Sequence, residues 1–195
     1  MRSLILAALL IVPTGSALAQ DSFGGPTPAP ATDPPRPAPP ASTAQRADPE
    51  RQDLGVAPTS QLHTGAMHGP TPASIPGGQV VTTQGVKALI DGRQAPFLLL
   101  DILGGPQVIP GAQSAVPAAQ PGSFQDATQQ QFGQFLQQAT RGNKEVALVL
   151  YCQSRECWMS YNAALRAINL GYRNVLWYRG GIEAWQAAGH AVQSR

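Results

Sequence analysis

The sequence has few of the residues from which metal and nucleic-acid sites are built. It contains two cysteines and three histidines among 195 residues, which falls short of the roughly three or four clustered ligands that zinc requires. The net charge is +2, and the basic side chains are scattered, with no cluster and no interleaved aromatic residues. The sequence therefore predicts no metal, no cofactor and no nucleic-acid partner.

Long apolar runs are scarce as well. One run, Leu4–Val12, follows Arg2 and precedes Ala17-Leu18-Ala19, a small-x-small pattern that signal peptidases cleave. The run is too short to span a bilayer, which takes about 20 residues. We therefore predict a cleaved signal peptide over residues 1–19, no membrane anchor, and a periplasmic or secreted location.

Proline is concentrated in one part of the chain. Residues 20–78 hold 13 of the 19 prolines. Such a segment lacks the apolar surface that would offset the entropy of ordering it, so we predict a disordered Pro- and Ala-rich linker over residues 20–78. His63 and His68 are expected to be solvated within it. A plain spacer is the expected role, and docking to a protein partner that reads Pro-rich sequence is the alternative.

Residues 79–195 have the length of one ordinary domain. Continuous apolar runs in them predict buried strands, and apolar spacings of three and four residues predict helices. The predicted strands cover residues 96–102, 112–116, 146–151 and 174–178, and the predicted helices begin near Thr83, Asp126, Trp158 and Gly181. This alternation predicts an α/β domain with a mostly parallel central sheet.

Both cysteines lie in one strand-to-helix turn. Cys152 follows the run 146–151, and Cys157 precedes the helical pattern that starts at Trp158. Ligands of open parallel sheets bind beyond the carboxyl ends of the strands, where Cys152 and Asp101 both lie. Backbone N–H groups and the helix dipole at such a turn favour thiolate over thiol, so Cys152 is the candidate nucleophile. An oxidising compartment would also favour a disulfide between the two cysteines.

Four short motifs follow one another in an order that is typical of a known family. They are Leu98-Leu99-Leu100-Asp101, Val108-Ile109-Pro110-Gly111-Ala112, Val149-Leu150-Tyr151-Cys152 and Gly180-Gly181-Ile182-Glu183-Ala184-Trp185. Together they make residues 79–192 resemble the rhodanese-like superfamily. The run from Cys152 to Ala164 also resembles a periplasmic rhodanese-like group named for a Cys/Cys-Trp motif and associated with quinoprotein (PQQ)-dependent catabolism.

The resemblance implies a rhodanese-like domain over residues 79–195, with a five-stranded, mostly parallel sheet flanked by helices. It implies that the amides of a six-residue loop form an anion cradle. There the Cys152 thiolate would take a sulfane sulfur from a small anion such as thiosulfate, become a persulfide and pass the sulfur to a thiol acceptor. The implied site comprises the catalytic Cys152 and Cys157 and the substrate-binding Gln153, Ser154, Arg155, Glu156 and Asp101. Asp101 would either hold the loop amides or cap its own turn.

Three features depart from the family pattern, and one is that Ile102, Leu103 and Gly104 stand where charged residues usually follow Asp101. Cys157 stands where many members have arginine, and Val108 stands where the turn motif has histidine. Arg155 is the candidate to replace the missing cation. Cys157 would be either a resolving thiol for Cys152 or an inert buried residue. Two alternatives therefore stand beside sulfur transfer: a thiol–disulfide redox protein that cycles the two cysteines, and a non-catalytic binding module.

Overall fold

The computed structural model describes residues 48–92 and 95–195. The predicted signal peptide over residues 1–19 and the first part of the predicted linker, residues 20–47, lie outside the described residues. Within the described part, no helix is both long and apolar enough to cross a bilayer.

A five-stranded parallel sheet is the centre of the described structure. In chain order the elements are β1 (Gln79–Val81), α1 (Thr83–Gly92), β2 (Phe97–Asp101), β3 (Gln107–Val108), β4 (Gln113–Ser114), α2 (Ala127–Thr140), β5 (Ala147–Tyr151), α3 (Trp158–Asn169), β6 (Val175–Tyr178), α4 (Gly181–Ala187) and β7 (Gln193–Ser194). The strands of the sheet lie in the order β1-β6-β5-β2-β4, and β3 pairs with β7 in a separate antiparallel ribbon. The predicted α/β fold with a central parallel sheet is confirmed.

The central strand β5 contributes to two apolar clusters, because successive side chains of a strand point to opposite faces. Leu148 and Leu150 pack with residues of α2 and α3. Val149 and Tyr151 pack with residues of α1 and α4 on the other face. Every residue of β5 is buried, as expected for a parallel strand that helices cover on both sides. Cys152, the residue after the strand, is therefore held in place at the carboxyl end of β5.

Four short strands differ from the sequence-based assignment. β3 and β7, of two residues each, were not predicted. β1 was not predicted, because three residues are too few to show a periodic pattern. The predicted strand over residues 112–116 is shorter, since β4 comprises only Gln113 and Ser114 and a 3-10 turn, Val116–Ala119, follows it. Both residues of β4 are exposed, so hydrophobicity does not mark the strand.

Residues 48–78 contact the domain through polar groups, one aromatic stack and apolar side chains, of which Leu62 and Ile75 are buried in the core. The Asn162 side chain accepts the N–H of His63 at 2.8 Å and donates to the carbonyl of His63 at 2.9 Å. The His63 ring stacks on Trp158, with 4.1 Å between the ring centroids. These contacts correct the predicted disorder of residues 48–78 and the predicted solvation of His63. Composition did not reveal these contacts, because they depend on polar groups of the domain and on only a few apolar side chains of the segment.

Candidate active site

Cys152 directly follows β5, so it lies at the carboxyl edge of the sheet, where the sequence placed it. It forms a disulfide with Cys157, and the two Cα atoms are 6.4 Å apart, within the range of roughly 4.4–6.8 Å that disulfides span. The exposed fraction is 1% for Cys152 and 0% for Cys157. Both sulfur atoms are therefore enclosed, and the site is in an oxidised form without a free thiol.

The first carbonyl groups of the loop are bound by the start of α4. The carbonyls of Cys152 and Gln153 accept the N–H groups of Ile182 and Glu183, each at 3.0 Å. Gly181 allows this close approach, because its φ is +64° and an added Cβ would lie 2.5 Å from the Cys152 carbonyl oxygen. The Gly-Gly motif thus fixes how the loop leaves the strand.

The later carbonyl groups of the loop are bound by residues 67–71, within the part of the chain that was predicted to be disordered. The carbonyl of Glu156 accepts the N–H of Gly69 at 2.8 Å. The carbonyl of Arg155 accepts the hydroxyl of Thr71 at 2.5 Å. Residues 67–71 therefore close one side of the loop and hold its backbone in place.

Three N–H groups of the loop, unlike its carbonyl groups, have no hydrogen-bond partner among the described residues. They are the N–H groups of Gln153, Ser154 and Arg155. Successive unpaired N–H groups in a turn form an anion-binding concavity, and the positive end of the α3 dipole lies at the end of the same loop. This arrangement has the donors that the predicted anion cradle requires.

Ser160, in the first turn of α3, donates a hydrogen bond to the sulfur of Cys152. Its Oγ lies 3.0 Å from the Cys152 Sγ and 3.0 Å from the Nε1 of Trp177. An indole N–H can only donate, so the serine accepts from Trp177 and its own proton points to the sulfur. Ser160 and Trp177 are both buried. After reduction of the disulfide, this hydrogen bond favours the thiolate form of Cys152.

The predicted substrate-binding residues of the loop separate into two pairs. Ser154 and Arg155 line an open cavity of about 260 Å³ between the loop, α4 and the 3-10 turn that starts the described chain. Gln153 instead donates its side-chain amide to the carboxylate of Glu183 at 2.6 Å, and Glu156 is exposed. Neither cysteine lines this cavity.

Arg155 is directed away from the centre of the loop. Its Nη1 donates to the carbonyl of Pro49 at 3.1 Å and to the Oε1 of Gln52 at 2.6 Å. The guanidinium group is thus engaged by the N-terminal segment, which argues against its predicted role as the replacement cation.

Asp101 lies at the carboxyl end of the neighbouring strand but serves a different loop. Its carboxylate accepts the N–H of Leu103 at 3.0 Å and of Gly104 at 3.2 Å, and it pairs with Arg195 near the C-terminus. The side chain is 1% exposed in this arrangement. These contacts correct the predicted place of Asp101 in the substrate site and support the alternative, in which it caps its own turn.

A buried arginine that the sequence did not single out anchors the N-terminal segment beside the loop. Arg179 is 1% exposed and donates to the carbonyls of Glu50 (3.0 Å), Gln52 (2.7 Å) and Thr71 (2.8 Å), and to the Thr71 hydroxyl (3.1 Å). Among the described residues no carboxylate pairs with it. Burial, and then the nearby Arg155, lowers the pKa of Arg179.

One family of known proteins accounts for this arrangement. The family model of the rhodanese-like domain matches residues 81–188, more than half of the chain. The chain belongs to the rhodanese-like domain family. The predicted family is therefore confirmed, whereas the narrower resemblance to the Cys/Cys-Trp group is not. No curated protein matches the chain at a significant level.

Several solved structures are similar to this rhodanese-like domain at low identity. The rhodanese-like domain of an Anabaena protein is 18% identical, with a TM-score of 0.42, and the match covers 59% of this chain and 78% of that one. A thiosulfate sulfurtransferase from Pseudomonas aeruginosa is 22% identical, with a TM-score of 0.44 and coverage of 59% and 20%. A yeast protein tyrosine phosphatase of the rhodanese family is 14% identical, with a TM-score of 0.46 and coverage of 58% and 88%. Because these TM-scores are below 0.5, the family assignment rests on the family model.

Sequence reasoning missed three residues around the loop of this rhodanese-like domain. Ser160 was visible only as part of the run after Cys157, although a polar residue on an otherwise buried helix is a usable signal. Arg179 precedes the Gly-Gly motif, and nothing in its sequence surroundings indicates burial. Thr71 lies in the Pro-rich segment, where composition predicted no ordered contact at all.

Proposed function

We propose that this rhodanese-like domain accepts a sulfane sulfur on Cys152 and carries it as a persulfide to a thiol acceptor. The observation that carries the proposal is the position of the Cys152 sulfur, at the carboxyl ends of the strands and at the start of a loop in which three amides have no acceptor among the described residues. The reduced Cys152 thiolate attacks the outer sulfur of the donor. With thiosulfate, the sulfur–sulfur bond breaks, sulfite leaves with the electron pair, and Cys152 retains the sulfur as a persulfide.

The surroundings of Cys152 support this chemistry at two points. The Ser160 hydroxyl, 3.0 Å from the sulfur, stabilises the attacking thiolate. The loop amides supply hydrogen-bond donors for the negative charge on the donor and on the persulfide. A buried site strengthens both interactions, because water does not screen them.

The charge around the loop favours one class of donor. Residues of the N-terminal segment bind the guanidinium groups of both Arg155 and Arg179. Among the described residues, the loop therefore offers neutral N–H groups rather than a free cation to the donor. We propose that organic persulfides, which carry one negative charge on the persulfide group, load Cys152 faster than the dianion thiosulfate does, because dianion binding depends more on a fixed cation.

The disulfide determines when loading can occur. The Cys152 sulfur can hold a bond to Cys157 or to a sulfane sulfur, but not both, so a dithiol reductant must open the disulfide before sulfur is accepted. A disulfide also fits the periplasmic or secreted location that the sequence predicts, since oxidising compartments preserve such bonds.

Intact-mass measurement tests the proposal. The Cys157→Ala protein, which cannot form the disulfide, is reduced, freed of reductant and incubated with polysulfide or with thiosulfate. We expect a gain of about 32 Da, which dithiothreitol reverses. The Cys152→Ala protein is the matched control and should gain nothing. No gain in the Cys157→Ala protein with either donor would exclude the proposed function.

Thiol–disulfide exchange with other proteins is the second candidate function, and the Cys152–Cys157 disulfide itself favours it. The partner thiolate must reach one of the two buried sulfur atoms, as the dithiol reductant of the proposed function must, so burial of the cysteines does not separate the two candidates. Titration in redox buffers, followed by alkylation and mass measurement, decides this point. Exchange predicts a pair that opens and closes across physiological potentials without any added sulfur donor.

A further inference from the structure

We propose that Cys157 releases the sulfur of the Cys152 persulfide as hydrogen sulfide, closing the disulfide that the structure contains. The inference rests on the proposed function, since it requires a persulfide on Cys152. It goes beyond that function by assigning a product, free sulfide, and a role for the second cysteine. The domain would then act as a persulfide-reducing enzyme that consumes two thiols for each sulfur released.

The position of Cys157 selects which sulfur it attacks. In the structure its Sγ is bonded to the Cys152 Sγ, which is the inner sulfur of the persulfide. The loop backbone allows this bond while its carbonyl groups remain held by α4 and residues 67–71. Attack on the inner sulfur expels the outer one, whereas attack on the outer sulfur would only move the persulfide from one cysteine to the other.

Enclosure favours an internal thiol over an external acceptor. Cys152 is 1% exposed and Cys157 is 0% exposed, and the chain has no third cysteine. An external thiol can reach the inner sulfur only when the structure around the loop opens. Cys157 is already beside it, and the product that must leave is a single small molecule.

The start of α3 activates the attacking thiol. Cys157 is the N-cap residue of this 12-residue helix, where the positive end of the helix dipole favours a thiolate. In the oxidised form its side chain makes no capping hydrogen bond. The Cys157 thiolate is therefore stabilised by the helix dipole before it attacks.

The step balances in atoms and electrons. The Cys157 thiolate forms a bond to the Cys152 Sγ, and the bond between the inner and outer sulfur breaks. The outer sulfur takes the electron pair and the proton that the Cys157 thiol had released, and it leaves as hydrosulfide. The sulfane sulfur is reduced by two electrons, and the two cysteine sulfurs are oxidised to the disulfide. An external dithiol then reduces the disulfide and begins the next cycle.

A single-turnover experiment tests the release. Wild-type protein is reduced, desalted and given excess thiosulfate, which does not itself release sulfide, and sulfite, sulfide and intact mass are followed together. We expect equal amounts of sulfite and sulfide from the wild type, which ends as the disulfide without added mass. Cys157→Ala and the closer replacement Cys157→Ser should release sulfite, keep the added sulfur and form no sulfide until dithiothreitol is added.

The outcomes separate this inference from the proposed function. If the wild type keeps the added sulfur with Cys157 unmodified, or if the Cys157 variants release sulfide at the wild-type rate, the inference is wrong and the proposed function stands. If neither variant gains sulfur from thiosulfate or polysulfide while both retain the circular-dichroism spectrum of the wild type, the proposed function fails and the inference fails with it. Added sulfur that migrates to Cys157 also overturns the inference.

Discussion

Replacement of Ser160 by alanine should destabilise the thiolate form of Cys152 relative to the thiol. The Ser160 hydroxyl lies 3.0 Å from the Cys152 sulfur, and Trp177 fixes its orientation by donating to the same oxygen at 3.0 Å. Hydrogen bonds to charged groups contribute about 1.5–3 kcal/mol. At about 1.4 kcal/mol per tenfold change in proton affinity, Ser160→Ala should move the midpoint of the Cys152 thiolate titration upward by about 1–2 pH units.

The assay is thiolate absorbance in the ultraviolet as a function of pH. The Cys157→Ala background leaves Cys152 as the only thiol, and the Cys152→Ala/Cys157→Ala protein supplies the baseline for tyrosine ionisation. Ser160→Thr, which retains a hydroxyl, is the matched control and should stay closer to the parent midpoint. An unchanged midpoint in Ser160→Ala, with the fold retained, would refute the assignment of the serine proton to the sulfur.

Three further predictions concern the surroundings of the loop. Thr71→Val removes two buried hydrogen bonds, so urea unfolding should show a loss of about 2–4 kcal/mol together with faster alkylation of the reduced cysteines, and Thr71→Ser should show neither. The hydrogen bond from Arg166 lowers the pKa of Asp126 to about 2. The ion pair should therefore contribute its full stability above about pH 4 and lose it as the pH falls towards 2. Asp126→Asn should remove this pH dependence of unfolding, and an Asp126→Asn protein that keeps it would show that the dependence does not come from Asp126. Asp101→Asn should lower the melting temperature, because it weakens the pair with Arg195, and should leave sulfur loading of Cys152 unchanged; slower loading at an intact fold would return Asp101 to the site.

The sequence predicted the parts of this structure that depend on local pattern. The residues of β5, Ala147–Tyr151, form a continuous apolar run, so hydrophobicity alone predicted that the strand is buried and that Cys152 lies at its end. Asp126 caps α2 as predicted, accepting the N–H of Gln129 at 2.7 Å, because capping is a local interaction. The sequence left the disulfide open, since the distance between two cysteines across a loop depends on how the loop is held.

The parts that sequence reasoning missed depend on partners far away in the chain. Arg179 lies more than a hundred residues after the carbonyl groups that it binds in residues 50–71, so no local pattern reveals the pairing. Asp101 was predicted to lie in the substrate site because it ends a strand, but it pairs with Arg195, which is far from it in sequence. Residues 48–78 were predicted to be disordered because apolar residues are few in them, but polar groups of the domain bind their backbone and the few apolar side chains, such as Leu62 and Ile75, enter the core.

Digestion with trypsin tests directly whether the added sulfur resides on Cys152. Cleavage after Lys144, Arg155 and Arg166 places Cys152 and Cys157 in different peptides. Reduced wild-type protein is mixed with isotopically labelled polysulfide, quenched with an alkylating agent at short times and analysed by tandem mass spectrometry. We expect labelled sulfur on the peptide of residues 145–155 first, and its loss as the disulfide forms. Label that appears first on the peptide of residues 156–166, or on neither peptide, would show that Cys152 is not the sulfur acceptor.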